Sequence, residues 1–145
     1  MYVDNLTLLW DSAALSTDAV STNTYDRGLA NNYLGQGTPV GAVLVVEVAA
    51  DFTSADETYK FSIIQSANAN LSSGDLLVSE TFLGSALTLG KIVHIPLPNG
   101  SVTKRYLGLD YDGSGTTPTV TVSAWFTMSQ AVERLVRFAL GFTVS

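Results

Sequence analysis

The stretch Lys91-Ile-Val-His-Ile-Pro-Leu-Pro98 opens a run of three segments that indicates the fold. It is followed by Lys104-Arg-Tyr-Leu-Gly-Leu-Asp-Tyr111 and then by Thr117-Pro-Thr-Val-Thr-Val-Ser-Ala-Trp-Phe-Thr127. All three segments are rich in Val, Ile, Thr and aromatic residues, which suit a pleated strand. The segments between them contain Asn-Gly-Ser and Asp-Gly-Ser-Gly, which are typical of turns. The stretch therefore predicts three short β-strands joined by turns.

Five further segments towards the N-terminus also read as strands. Tyr59-Lys-Phe-Ser-Ile-Ile-Gln65 alternates large apolar and polar residues at its start, as a half-buried strand does. Val40–Val48 is almost entirely apolar, so we expect it to be buried on both faces at the centre of the core. The other three predicted strands are Leu6–Trp10, Ala19–Tyr25 and Leu76–Phe82. About eight short strands with turns between them predict an all-β fold, a jelly-roll-like β-sandwich.

Composition limits the classes of partner. The chain has 145 residues, of which 46% are hydrophobic and 14% are charged, and it carries a net charge of −6. Nucleic-acid binding depends on clustered Lys and Arg, and only seven are present, so we expect no nucleic-acid partner. No apolar run approaches the length of a membrane span and Met1–Thr7 does not resemble a signal peptide, so we expect a soluble, non-secreted protein. Without cysteine there are no disulfides or thiolate metal sites.

Three groups of residues could in principle carry chemistry. His94 is the single histidine and has no partner evident in the sequence, so we expect a structural or surface role. Asp110–Gly115 resembles the start of a calcium loop, but Thr121 stands where the bidentate Glu would be, which favours a β-turn. The carboxylates of Asp51, Asp56 and Glu57 lie close together in a predicted turn, where we expect them to be solvated. The sequence thus predicts no catalytic residue, metal site or cofactor.

With the strands placed, the chain resembles the capsid cement, or decoration, proteins of tailed bacteriophages. The resemblance covers most of the chain and rests on strand segments that occur in the same order. The most distinctive is Lys104–Tyr111; the others are Asp4–Leu15, Ser21–Asp26, Gly35–Val40, Phe61–Ser66 and Ile95–Pro98.

The resemblance implies a β-sandwich that forms a homo-oligomer, a dimer or trimer, on the outer surface of a phage head. There it would bridge neighbouring subunits of the major capsid protein, after synthesis in the host cytoplasm, without a reaction or cofactor. A carbohydrate-binding module of a virion is the alternative, with Trp10, Tyr25, Tyr33 or Trp125 stacking on sugars. Because these rings fall mostly within predicted strands, we expect them to pack in the core. A hydrolase would need a nucleophile and a base, and no such pair is evident.

We divide the chain into a sandwich domain over residues 1–128 and a C-terminal tail over residues 129–145. Apolar residues of the tail recur at helical spacing, at Val132, Leu135, Val136, Ala139 and Leu140. Apolar residues at Val136, Phe138, Leu140, Phe142 and Val144 also alternate, so the tail could form an edge strand instead. Either form leaves aromatic residues poorly covered. We therefore predict that Leu135, Phe138, Leu140 and Phe142 contact a neighbouring subunit or the capsid; the alternative is that the tail caps its own sandwich.

Overall fold

The computed structural model describes residues 8–26, 41–98 and 101–127, and these form two antiparallel β-sheets. The strands are β1 (Leu8–Leu15), β2 (Ala19–Val20), β3 (Tyr25–Asp26), β4 (Gly41–Val48), β5 (Thr58–Ser66), β6 (Asp75–Leu83), β7 (Ile92–Pro96), β8 (Tyr106–Ser114) and β9 (Val120–Thr127). The helical content of the described residues is a single 3-10 turn at Gly84–Ala86. The predicted all-β fold is confirmed.

The order of the strands is that of a jelly roll. The first sheet has the order β1-β9-β4-β7, and the second has the order β2-β8-β5-β6, with β3 also paired to β8. Strands from the start of the chain thus pair with strands from its end, β1 with β9 and β2 and β3 with β8, while β4 pairs with β7 and β5 with β6. This is the pattern of a long hairpin that wraps into two sheets. If β2 and β3 count as one interrupted strand, the number is the predicted eight.

The three strands of the Lys91–Thr127 stretch are not neighbours in one sheet. β7 and β9 flank β4 in the first sheet, whereas β8 lies between β5 and β2 in the second. The predicted turn at Asp110–Gly115 is also misplaced, since β8 continues to Ser114, which pairs with Thr58. The chain turns afterwards at Gly115, whose φ of +114° suits glycine. An added Cβ there would lie 2.8 Å from the Asp56 carbonyl oxygen, so a larger residue would collide with the backbone.

The core lies between the two sheets, on the inward faces of their central strands. From β5 come Tyr59, Phe61 and Ile63, as the alternation predicted. The expectation that β5 is only half-buried is wrong for its second half, where Ser62, Ile64 and Gln65 are buried as well because β5 lies between β6 and β8. Phe61 contacts Trp10 edge to face, with ring centroids 6.2 Å apart, and Tyr111 at 5.4 Å. Such pairs add stability beyond the burial of their apolar area.

β4 is buried on both faces over its first half, as predicted. Ala42, Leu44 and Val46 belong to the core between the sheets. Val43, on the opposite face, is also buried and packs with Trp125 of β9, to which it is directly paired. The last two residues of the strand, Glu47 and Val48, are exposed.

Candidate functional site: one loop end of the sandwich

The predicted interface residues belong to the C-terminal tail. Leu135, Phe138, Leu140 and Phe142 all lie outside the described residues.

Four connections lie at one end of the sandwich, here called the loop end: residues 16–18 between β1 and β2, 49–57 between β4 and β5, 84–91 between β6 and β7, and 115–119 between β8 and β9. Backbone hydrogen bonds join the last three of these. The Asp51 N–H donates to the Thr119 carbonyl oxygen at 2.9 Å, and the Ala50 N–H donates to the Leu87 carbonyl oxygen at 3.0 Å. These hydrogen bonds hold the three connections of the loop end in fixed positions relative to one another.

Apolar side chains are exposed on this loop end. They are Val48 (57% exposed), Phe52 (53%), Leu83 (61%) and Leu89 (72%), here called the loop-end patch. They make up four of the six large hydrophobic side chains that are exposed among the described residues. Single exposed apolar residues are ordinary, but several at one end of a domain indicate an interaction surface.

The members of the patch come from the ends of two strands and from two connections. The Gly90 N–H donates to the Val46 carbonyl oxygen and the Ala50 N–H to the Leu87 carbonyl oxygen, so residue 48 lies across from residue 89. Phe52 lies against Gly84, where an added Cβ would be 2.6 Å from the Phe52 Cβ. Leu83 precedes that glycine and ends β6. The absence of a side chain at Gly84 allows this close approach of the two loops.

The carboxylates of the loop end differ from one another. Asp51 Oδ1 accepts hydrogen bonds from the backbone N–H and the hydroxyl of Thr53, and these bonds, with one from Thr117, lower the pKa of Asp51. Asp56 accepts bonds from the N–H of Thr116 at 3.3 Å and from its hydroxyl at 2.9 Å. Glu57, by contrast, is buried, so the prediction that all three are solvated is wrong for Glu57. Glu57 directly precedes β5 and packs against the connection between β8 and β9, where an added Cβ at Gly115 would be 2.7 Å from the Glu57 Cα.

His94 lies on edge strand β7 and is opposite Val43 in the register. Its ring reaches over β4, since an added Cβ at Gly41 would be 2.7 Å from His94 Nε2. Burial lowers the pKa of His94, an effect that the charge of Glu80 opposes. The Nε2 atom is buried and has no hydrogen-bond partner. Within the described ranges, no three His, Cys, Asp or Glu residues are arranged so that they could hold a metal ion.

The aromatic residues considered as sugar platforms are mostly covered. Trp10 and Trp125 are buried, and Tyr25 packs edge to face on Phe126 with ring centroids 5.9 Å apart. Tyr33 lies outside the described residues. A ring that is covered by protein cannot stack on a sugar, so Trp10 and Trp125 have the packing role that the sequence predicted.

Sequence reasoning missed the loop-end patch. Its members are isolated apolar residues next to turns, as in Asp51-Phe52-Thr53 and Thr88-Leu89-Gly90. The turn residues beside each apolar residue could have indicated that it is exposed. That the four residues lie at the same end of the sandwich depends on the topology.

Comparison with known proteins identifies a family. A protein-family model described as Bbp16 matches residues 9–126, which is most of the chain. A search among curated proteins found no significant match. In the part of the chain that the structure describes, no helix has the length and apolar character needed to cross a membrane.

Proposed function

The chain belongs to the Bbp16 family, a phage-related family, and we propose that it is a structural capsid cement protein. In this role it binds the outer surface of a phage head and stabilises the lattice of the major capsid protein. It carries out no reaction and needs no cofactor for this role. Its location is the outside of the virion.

The observation that carries the proposal is the loop-end patch on a jelly-roll sandwich of this family. Val48 and Leu83 are exposed at the ends of β4 and β6, and Phe52 and Leu89 are exposed on connections that are hydrogen-bonded to each other. A patch of this kind loses its contact with water when a partner docks.

The composition agrees with an outer location. The net charge of −6 gives no electrostatic attraction to the packaged genome, so the genome does not draw the protein away from the outer surface. Binding only to the assembled lattice stabilises it by mass action. Assembly as a dimer or trimer would allow each copy to bind weakly. Once one copy is bound, the linked copies have a high effective concentration at the neighbouring capsid sites.

A carbohydrate-binding module of a virion is less favoured. Of the four aromatic residues that could stack on a sugar, Trp10 and Trp125 are buried and Tyr25 packs on Phe126. No observation on the described surface favours a sugar site in their place.

The proposal is tested with heads that lack this protein. The purified chain is mixed with such heads, bound protein is measured by sedimentation, and the melting temperature of the heads is recorded. We expect bound protein and a higher melting temperature. In a variant with Leu83→Asp and Leu89→Asp, we expect binding to fall at least tenfold, because two charges would be buried at the contact.

Leu76→Asp is the matched control, because Leu76 lies on the same strand as Leu83, near its opposite end, and is 57% exposed. Its binding should equal that of the unmodified chain. Absence of binding by the unmodified chain would overturn the cement proposal. Binding that is lost equally in the control would overturn the assignment of the contact to the loop-end patch.

A further inference from the structure

Glu57 has an unusual environment for a carboxylate. Only 1% of the residue is exposed, and its Oε2 atom is buried without any hydrogen-bond partner. Buried polar atoms are nearly always hydrogen-bonded, and a buried charge is strongly unfavourable unless a proton or cation compensates it. The described protein atoms therefore supply no partner for Glu57 Oε2.

The other oxygen of Glu57 is only weakly bonded. The Ser54 N–H donates to Oε1 at 3.4 Å, and the Thr117 hydroxyl oxygen lies 3.5 Å from it. That hydroxyl has one proton and is closer to Asp51 Oδ2, at 3.0 Å. Two carboxylates thus compete for a single hydroxyl proton, and neither gains full compensation from it.

Among the described residues, no ion pair joins a Lys or Arg to either carboxylate. In the described ranges the ion pairs join Lys104 to Asp75 and Arg105 to Asp26, both away from the loop end. The nearby Tyr59 hydroxyl donates to the Asp51 carbonyl oxygen and lies 3.3 Å from the Thr119 carbonyl oxygen. Burial chiefly raises the pKa of Tyr59, and the charges of Asp51 and Glu57 raise it further. The Tyr59 hydroxyl is thus bonded to carbonyl oxygens and compensates neither carboxylate.

We propose that the carboxylates of Glu57 and Asp51, which meet at the Thr117 hydroxyl, form a calcium site at the loop end with Thr117 Oγ1. All the donors are oxygens, which hard cations prefer, and the set contains no imidazole or thiolate. Ca²⁺ is favoured over Mg²⁺ because it accepts irregular geometry and a mixture of carboxylate, hydroxyl and water ligands. With two carboxylates the site is a weak one, in the range of about 0.1 to 1 mM.

The ion joins the connection before β5 to the connection before β9. Asp51 and Glu57 belong to the first and Thr117 to the second. Since Phe52 follows Asp51 directly, the ion also holds one member of the loop-end patch in place. The site does not depend on the cement role, because it can be measured on the purified chain without heads.

The test is thermal unfolding of the full chain in 5 mM CaCl₂ and in EGTA, with calorimetric titration of Ca²⁺. We expect Ca²⁺ to raise the melting temperature by about 3 °C or more. In Glu57→Gln this rise should disappear, while the melting temperature in EGTA should be at least that of the unmodified chain because an uncompensated buried charge has been removed. Glu80→Gln, on β6, is the control and should retain the full rise.

Asp51→Asn provides a second variant if Glu57→Gln does not fold, and its Ca²⁺ titration should show at least a tenfold loss of affinity. A melting temperature of the unmodified chain that does not respond to Ca²⁺ would overturn the site. An unchanged response in a folded Glu57→Gln chain would do the same.

Discussion

Asp110 is a residue whose ionisation opposes folding. Burial, and then the charges of Asp112 and Asp18, raise the pKa of Asp110 above its ordinary value of 3.8, whereas Lys60 acts in the opposite direction. The folded state therefore binds this proton more tightly than the unfolded state does. This contribution to stability is full below pH 3.8 and is lost as the pH rises through the folded-state pKa.

We predict that Asp110→Asn raises the melting temperature at pH 7, because it removes the charge that is poorly accommodated in the folded state. The gain should become small at pH 3, where the unmodified residue is protonated in both states. Unfolding followed by circular dichroism at the two pH values measures this. Asp11→Asn, at an exposed position on β1, is the control. A gain of equal size at both pH values would contradict the explanation.

At the level of elements, a side chain bonds to β8 in the gap between β2 and β3. Ala19 and Val20 pair with Tyr111 and Asp110, the Ser21 N–H donates to the Leu109 carbonyl oxygen at 2.7 Å, and strand pairing resumes at Tyr25. Between them, the buried Ser21 hydroxyl accepts a hydrogen bond from the Leu109 N–H at 3.2 Å and donates to the Asn23 carbonyl oxygen at 2.7 Å. A side chain thus supplies an acceptor for the backbone of β8 where the strand is interrupted.

We predict that Ser21→Ala lowers the free energy of unfolding by about 1 to 3 kcal/mol, because it leaves the buried Leu109 N–H without this partner. Urea denaturation measures the change. Ser16→Ala, at an exposed position after β1, should change the free energy by less than about 0.5 kcal/mol. Equal effects of the two substitutions would show that the Ser21 hydroxyl does not hold the two strands to β8.

On the scale of the whole molecule, assembly is predicted to depend on the tail. Residues 129–145 follow β9 closely, and their apolar residues Leu135, Phe138, Leu140 and Phe142 lie outside the described residues. We expect them to contact a neighbouring subunit or the capsid. Leu135→Asp together with Phe138→Asp should then dissociate the oligomer or weaken attachment to heads, because the charges would be buried at the contact.

Mass by light scattering and binding by sedimentation measure the effect, and circular dichroism monitors the β-domain. Ser129→Asp together with Gln130→Asp adds the same charge to polar positions of the tail and should leave the mass unchanged. An unchanged mass and unchanged head binding in the apolar double variant would show that the tail is not an interface. Unfolding of the β-domain in that variant would indicate that the tail caps its own sandwich instead.

Residue patterns within single strands predicted much of the fold. Alternation placed Tyr59, Phe61 and Ile63 on one inward face, and the apolar run of β4 predicted its burial on both faces. Such patterns are local, because a strand shows its buried face through the residues that it contributes itself. The same patterns do not record the partner strand, so the assignment of β7 and β9 to one sheet and β8 to the other required the tertiary structure.

The candidate site depended on the tertiary structure still more. Val48 and Leu89 are distant in the sequence, and the hydrogen bonds between their connections place them opposite each other. In the sequence, Glu57 cannot be told from a solvated carboxylate of a turn, because its burial depends on the loops that cover it. Sequence alone determined that this chain forms a β-sandwich with little charge and a short list of reactive groups. The wrapping of the jelly roll determined which side chains meet at its end, because burial and proximity arise from contacts between segments that are far apart along the chain.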